Sequence, residues 1–375
     1  MPRHLAPRPG PGRLRRRLTR YALAAALIPA AAITLGPGAH ADPKVRAGAN
    51  VHLVRPGESV QAAVDAAGPG DIIELAAGTH PGSVHIATDH VTLRGPRDAT
   101  AVLTPAATAA ATPCAAAGHG VCIFGTADDP VAGVRIEDVT VTGFRKTGVI
   151  GRYAHALSVS GVHARGNGEH GIGQEFSRHG LFTGNTTESN GQSGLFVADE
   201  TTAPGTVVAR NHSTGNRIGV HLRRTRHTAV TGNEMTGNCA GVFLVGDETR
   251  PVAGDVDIVG NTMADNNRYC PGNQYIAHIQ GSGIVLTGTQ QARVTANRIT
   301  GHRGDSPMSG GIVMVPSFAG DGTSFHRVTG NTLARNDPAD LAERDPRATG
   351  NTYLGNVCGH SEPAGLCRGD GLLPR

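Results

Sequence analysis

The sequence predicts an all-β chain, a right-handed parallel β-helix whose solenoid of about a dozen coils is closed at its N-terminal end by a short capping helix. Three observations lead there. One phrase recurs along the chain: apolar-Thr-Gly-Asn, a few polar residues, a second Asn, then Gly-apolar-x-apolar. It reads VTGNEMTGNCAGVFL at 230–244, VARNHSTGNRIGVHL at 208–222 and LFTGNTTESNGQSGLFV at 181–197. Aromatic residues make up only 3% and tryptophan is absent, too little bulk for an ordinary globular core but enough for thin coils of Val, Ile and Leu. The asparagines Asn185, Asn211, Asn233, Asn261, Asn297 and Asn331 fall at matched positions, where amides of successive coils can stack into a ladder.

Each Gly-apolar-x-apolar segment has the alternation of a short strand. Gly and Asn between strands supply the left-handed backbone that tight corners need. A period of roughly 20–25 residues with two or three strands per repeat is that of a solenoid. Leucine-rich repeats share the period but need far more Leu, and a propeller needs longer blades with aromatic signatures.

The N-terminus stands apart. Arg13, Arg15, Arg16, Arg17 and Arg20 precede an apolar run from Tyr21 to Leu35 and the tripeptide Ala39-His40-Ala41, the pattern of a secretory signal cleaved after Ala41. Both the general and the twin-arginine export routes remain open. Residues 1–41 hold seven arginines and no acid, so of 34 basic residues 27 remain against 30 acidic ones. That balance offers no basic field for nucleic acid. No second apolar run is long enough to span a membrane.

The expected organisation is a signal peptide (1–41), a linker (42–50), the β-helix (51–357) and a C-terminal tail (358–375). Open solenoid ends expose strand edges and need covers. In Glu58–Ala67, residues Val60, Ala63, Val64 and Ala67 fall on one helical face, and Pro69-Gly70-Asp71 stops that helix before the first coil. Six cysteines in an exported chain imply disulfides, and no Cys-x-x-Cys suggests zinc. Cys239 and Cys270 occupy corresponding places on adjacent coils, about 5 Å apart, within bridging reach. Cys114–Cys122 and Cys358–Cys367 follow as local pairs, the last pinning the tail.

The opening VRPGESVQAAVDAAGPGDIIELAAGTHPGSVHI at 54–86, followed by VTLRG at 91–95, resembles the start of pectate-lyase-like β-helix proteins. The repeats over 134–357 resemble the generic parallel β-helix repeat. The resemblance covers nearly all of the exported chain and implies the fold. Its relatives include polysaccharide lyases, glycoside hydrolases, uronate epimerases and a periplasmic accessory protein. Neither the three-aspartate pattern of polygalacturonase-type hydrolases nor the Asp-Pro-His-Asp run of alginate epimerases is present, so fold alone leaves function open.

Insertions point to a site. Extra residues lengthen the loops Asp199–Gly205, Asp247–Gly254 and Pro316–Thr323 after the Gly-apolar-x-apolar strand. Others lengthen Asn266–Ser282 and His302–Ser309 before it. Loops rising from both edges of one sheet make a groove along the solenoid axis, floored by the outward residues His221, Phe243, Val285 and Val313. His221 is the candidate general base, with Arg223 and Arg224 to neutralise a sugar carboxylate. Tyr275 and His278 are further candidate catalytic groups. Phe243, Arg268, Tyr269, His302 and Arg303 are candidate substrate contacts. Asp199, Glu200, Asp247 and Glu248 are candidate calcium ligands. In-register stacking puts Asp199 and Asp247 roughly 10 Å apart across the Arg223 coil. Either the loops close on metal, or the two acids pair with Arg223 or Arg224 as an ordinary charge ladder. Two functions compete. One is a secreted enzyme that cleaves an acidic polysaccharide by elimination or hydrolysis. The other is a non-enzymatic polysaccharide-binding, surface or periplasmic accessory protein.

Overall fold

The computed structural model describes residues 48–107, 112–201, 205–274, 276–317 and 319–367. The expected signal peptide, most of the linker and the end of the tail lie outside them. Over the described residues the chain winds into a parallel β-helix with three long sheets of 12, 10 and 11 strands, in which every strand but those at the sheet ends pairs in parallel with the coils before and after it. The first sheet runs from Val51–Val54 to Thr352–Leu354 and the second from Gly78–Pro81 to Thr332–Ala334. The third sheet starts at Val84–Ile86 and ends at Ser361–Glu362, so the tail past residue 357 contributes a last strand instead of only a pinned loop.

Inward Val, Ile and Leu form one continuous core along the axis, with Val220, Val242, Ile284 and Ile312 stacked in register on the third sheet. The repeated glycine before each of these strands has a steric cause. A Cβ on Gly219 would sit 2.8 Å from the Met235 side chain, and one on Gly241 would sit 2.9 Å from Met263. Only glycine lets the third sheet close over the second there.

The asparagines stack as the repeat implies. The backbone N–H and the side-chain amide of Asn185 both donate to Asn211 Oδ1, at 3.0 and 2.9 Å. The pattern continues through Asn233, Asn261, Asn297 and Asn331 to Asn356. The second asparagine of the repeat builds another ladder at the next corner, from Asn167 through Asn190, Asn216, Asn238 and Asn266. Each buried amide thereby satisfies backbone groups that the corner would otherwise leave unpaired.

At the N-terminal end, helix α1 (Val60–Ala66) buries Val60 and Val64, and the Ser59 side chain accepts from Ala62 N as its cap. A second helix, α2 (Pro113–Ala117), follows Thr112 and ends at the left-handed Gly118. All three expected disulfides are present: Cys114–Cys122, Cys239–Cys270 and Cys358–Cys367.

Candidate functional site

The third sheet has its longest strands where the insertions lie: Ser193–Ala198, Ile218–Arg223, Ala240–Val245, Ser282–Thr287 and Gly310–Val315. Over the second and third of these opens a groove of about 480 Å³. His221, Phe243 and Ile218 form its floor. Gln192 and Arg217, with Asn273 and Ile276 of the long inserted loop, form one wall. Arg223, Arg224, Asp247, Glu248 and Ala319 form the other. Three of the inserted loops therefore reach the groove, as the insertion pattern implies.

Outward residues at one register position give the floor its composition. Phe196, His221 and Phe243 are register partners on successive coils. Their rings contact one another, with centroids 5.1 Å apart between Phe196 and His221 and 5.9 Å between His221 and Phe243. His170 stacks on Phe196 at 4.1 Å. Burial in this stack, with the charges of His170, Arg223 and Arg217 nearby, pushes His221 down to about 3. The imidazole is thus neutral at physiological pH although its edge reaches the groove. Its Nδ1 lies 3.4 Å from Ser193 Oγ, which leaves Nε2 for a ligand.

The floor does not extend to Val285 and Val313, contrary to the expectation from alternation. Both are fully buried, in a small second core with Phe243, Cys239, Cys270, Ile279 and Met308. The loops 266–282 and 302–309 fold down over the sheet and cover these valines. The Cys239–Cys270 bridge anchors the first of them to its coil.

The acids and arginines form a charge ladder. Arg223 Nη2 lies 3.0 Å from Asp199 Oδ2 and 3.6 Å from Glu175 Oε1. Arg224 pairs with Asp199 and, through Nη1, with Asp247 Oδ2 at 3.3 Å. These carboxylates hold the Arg224 guanidinium above its ordinary pKa, Asp199 foremost. Burial works to raise Asp247, but hydrogen bonds from Thr249 and the charge of Arg224 leave it below its usual value.

The four expected calcium ligands do not converge. Glu200 turns inward from the left-handed Asp199 and is buried, receiving hydrogen bonds from Gln174 Nε2 and from Thr206 Oγ1. Burial raises it to about 7. Asp199 and Asp247 are committed to Arg224, which leaves only the exposed Glu248. Among the described residues no cluster of three His, Cys, Asp or Glu side chains has the arrangement of a metal site. Among the described residues these four side chains do not together present the six to eight oxygens that calcium takes.

Other expected contacts fall elsewhere. His302 is fully buried and cannot touch a substrate. It replaces an asparagine in the second ladder, accepting from Asn266 Nδ2 at Nε2 (3.0 Å) and donating from Nδ1 to Asn336 Oδ1 (2.8 Å). Arg303 lies on the exposed corner beside that ladder, its N–H donating to Asn267 Oδ1. Arg268 also sits at this corner, its guanidinium close to Gly215. Tyr269 is exposed and stacks on His278 at 5.3 Å, and His278 Nε2 is 2.9 Å from Asp305 Oδ1. Asp305 also lines a second hollow of about 680 Å³, with Pro307, Val315 and Arg344. Tyr275 lies outside the described residues. The groove also contains Arg217 and Gln192, which the sequence reading passed over. Arg217 follows a ladder asparagine and looks like an ordinary corner residue.

The family profile described as "Right handed beta helix region" matches residues 111–216 and 155–337. No curated protein matches the sequence. Among solved structures, the chain is similar to the A-module of the mannuronan C-5 epimerase AlgE6 of Azotobacter vinelandii. The identity is 18% and the TM-score 0.51, over 81% of this chain and 90% of that one. It is similar to the DFA-IIIase of Arthrobacter chlorophenolicus A6 in complex with GF2, with 12% identity and a TM-score of 0.58, over 88% of this chain and 100% of that one. The periplasmic alginate epimerase AlgG shares 14% identity at a TM-score of 0.52, over 82% of this chain and 77% of that one. At these identities the likeness is one of fold.

Proposed function

The chain belongs to the right-handed β-helix family, and from that premise we propose that it is a carbohydrate-active protein that takes an acidic polysaccharide into the groove above His221 and cleaves it by elimination. The observation that carries this reading is the placement of an imidazole, His221, on the floor of a groove that also holds three arginines. Two of the solved neighbours are named as epimerases of mannuronan or alginate, which supports an acidic sugar as the ligand class. The three disulfides support a place outside the cytoplasm.

The chemistry follows from the arrangement. A guanidinium paired with the carboxylate of a uronate makes the proton on the adjoining carbon easier to remove. His221 Nε2, unprotonated, accepts that proton. The electron pair left behind forms a double bond to the next carbon as its bond to the glycosidic oxygen breaks, and the oxygen takes a proton from water. Phe243, packed edge-on against the imidazole, backs the floor beside it. Hydrolysis by paired carboxylates fits less well, because Asp199 and Asp247 are both held by Arg224.

A specific observation favours a second reading, a binding module without catalysis: two of the three arginines, Arg223 and Arg224, are already paired in the charge ladder. Purified protein incubated with alginate, polygalacturonate and glycosaminoglycans distinguishes the two. Ultraviolet absorbance from unsaturated ends, lost in His221→Ala, supports elimination. Binding with no absorbance for any polymer leaves the binding module, and neither binding nor absorbance sinks both.

A further inference from the structure

We propose that Arg217 is the residue that receives the carboxylate of the bound sugar, and that it sets both the preference for an acidic ligand and the direction in which that ligand faces. This rests on the reading of the groove given above.

Of the three arginines in the groove, two are already matched. Arg223 is held by Asp199 and Glu175, and Arg224 by Asp199 and Asp247. Among the described residues Arg217 has no carboxylate partner. Its Nη1 donates to a neutral acceptor, the backbone carbonyl of Pro271, at 2.8 Å. A guanidinium carries five N–H donors in a rigid fork, so most of its capacity is uncommitted. The residue is partly buried, and a partly desolvated cation without a counter-ion gains most from an incoming anion.

The position is fixed from two sides. The backbone carbonyl of Arg217 accepts from Cys239 N at 3.1 Å and from Ala240 N at 3.2 Å. Cys239 is bridged to Cys270, the residue before Pro271. The disulfide thus joins the strand that holds the Arg217 backbone to the loop that holds its guanidinium. Such anchoring lowers the ordering needed on binding.

The opposite wall supplies the direction. On the other edge of the sheet Arg223 and Arg224 are already matched by carboxylates, so that wall offers no unpaired cation to an anion, while Asp247 and Glu248 accept hydrogen bonds from hydroxyls. A uronate therefore lies with its carboxylate toward Arg217 and Gln192 and its hydroxyl edge toward the acids. His221 stands on the floor between the two walls.

The test uses the full disulfide-bonded protein and calorimetry. The probes are oligomannuronate, oligoguluronate and oligogalacturonate of one length, each with its carboxyl-reduced, neutral counterpart. The wild type is expected to bind at least one acidic probe more tightly than its neutral form. Arg217→Gln is expected to lose roughly tenfold to a hundredfold in affinity for that acidic probe and nothing for the neutral one. Arg217→Lys, a point charge without the fork, should recover part of the loss. An Arg217→Gln protein that keeps the wild-type acidic-to-neutral ratio overturns the assignment of Arg217 alone. Equal loss for both probes overturns it too, by making Arg217 a support of the wall. If no probe binds the wild type, the reading of the groove fails and the role of Arg217 falls with it.

Discussion

Asp199 reaches across to the next coil and pairs with Arg223, Oδ2 to Nη2 at 3.0 Å. It takes Arg224 as well, and Arg224 passes on to Asp247 one coil further. Charge along this edge of the groove is thus neutralised internally.

Calcium is accordingly expected to leave the protein unchanged. A ligand that binds only the folded chain raises its melting temperature; millimolar calcium should produce no rise. Asp199→Asn keeps the left-handed backbone, which asparagine tolerates, but releases both arginines at a nearly buried position. A cost of about 1–3 kcal/mol is expected, with Asp247→Asn costing less. A calcium-dependent rise that disappears in Asp199→Asn would restore the metal reading.

Val242 and Ile284 are register partners with no exposed surface. Replacing either with Asp places a carboxylate in the continuous core, at a cost of several kcal/mol, comparable with the stability of a whole domain. Loss of the cooperative thermal transition is expected. A variant that melts like the wild type would mean that these side chains do not point inward.

Stability should depend on pH through Glu200. Burial raises this group to about 7 from 4.5, so the folded chain keeps a proton that the unfolded chain has released. Its contribution is fully present below about pH 4.5 and is lost as pH rises to about 7, a change on the order of 3 kcal/mol. Buried His302 and His326, both lowered to about 4, act in the opposite sense: their contribution is present above 6.5 and is lost as pH falls through 4. Glu200→Gln should remove the first slope and leave the second. Denaturant midpoints of the two proteins that run parallel from pH 5 to 8 would refute this.

Paired Cys239→Ser and Cys270→Ser changes should lower stability by about 3 kcal/mol through the freed loop, with the solenoid intact. They should also weaken any ligand held at Arg217. Unaltered binding in the double variant, measured beside its circular dichroism, would mean that the wall stands without the bridge.

The parts of the fold that the sequence makes plain are those in which one coil repeats the chemistry of the last. Asn185 to Asn331 and the pair Cys239–Cys270 belong to this class, because matched positions in a solenoid become neighbours in space. Alternation marks Val285 and Val313 as facing outward, which they do, but it carries no information about what lies on top of them. Asp199 and Glu200 are adjacent in sequence yet serve opposite sides of the wall, because a left-handed residue at the corner reverses the chain. His302 was legible in principle: Thr300-Gly301-His302 aligns with Thr236-Gly237-Asn238, and an imidazole with one donor and one acceptor nitrogen can stand in for an amide. Arg217 left no signal of its own, since what distinguishes it is the missing carboxylate.

The asparagine ladder bears on how this chain can vary in length. Each amide donates to the one that follows it, always in the same sense, from Asn185 to Asn356. The segments between rungs differ widely, from 22 residues between Asn211 and Asn233 to 36 between Asn261 and Asn297. Material is therefore tolerated in the loops of a turn, where it leaves the rung and the paired strands in place. Removing a whole turn, rung included, leaves the row of amides unbroken and only shorter. Removing the single residue Asn233 opens a gap in it. For this molecule the unit of permissible loss is a coil, and a deletion of twenty-odd residues is a smaller injury than a deletion of one.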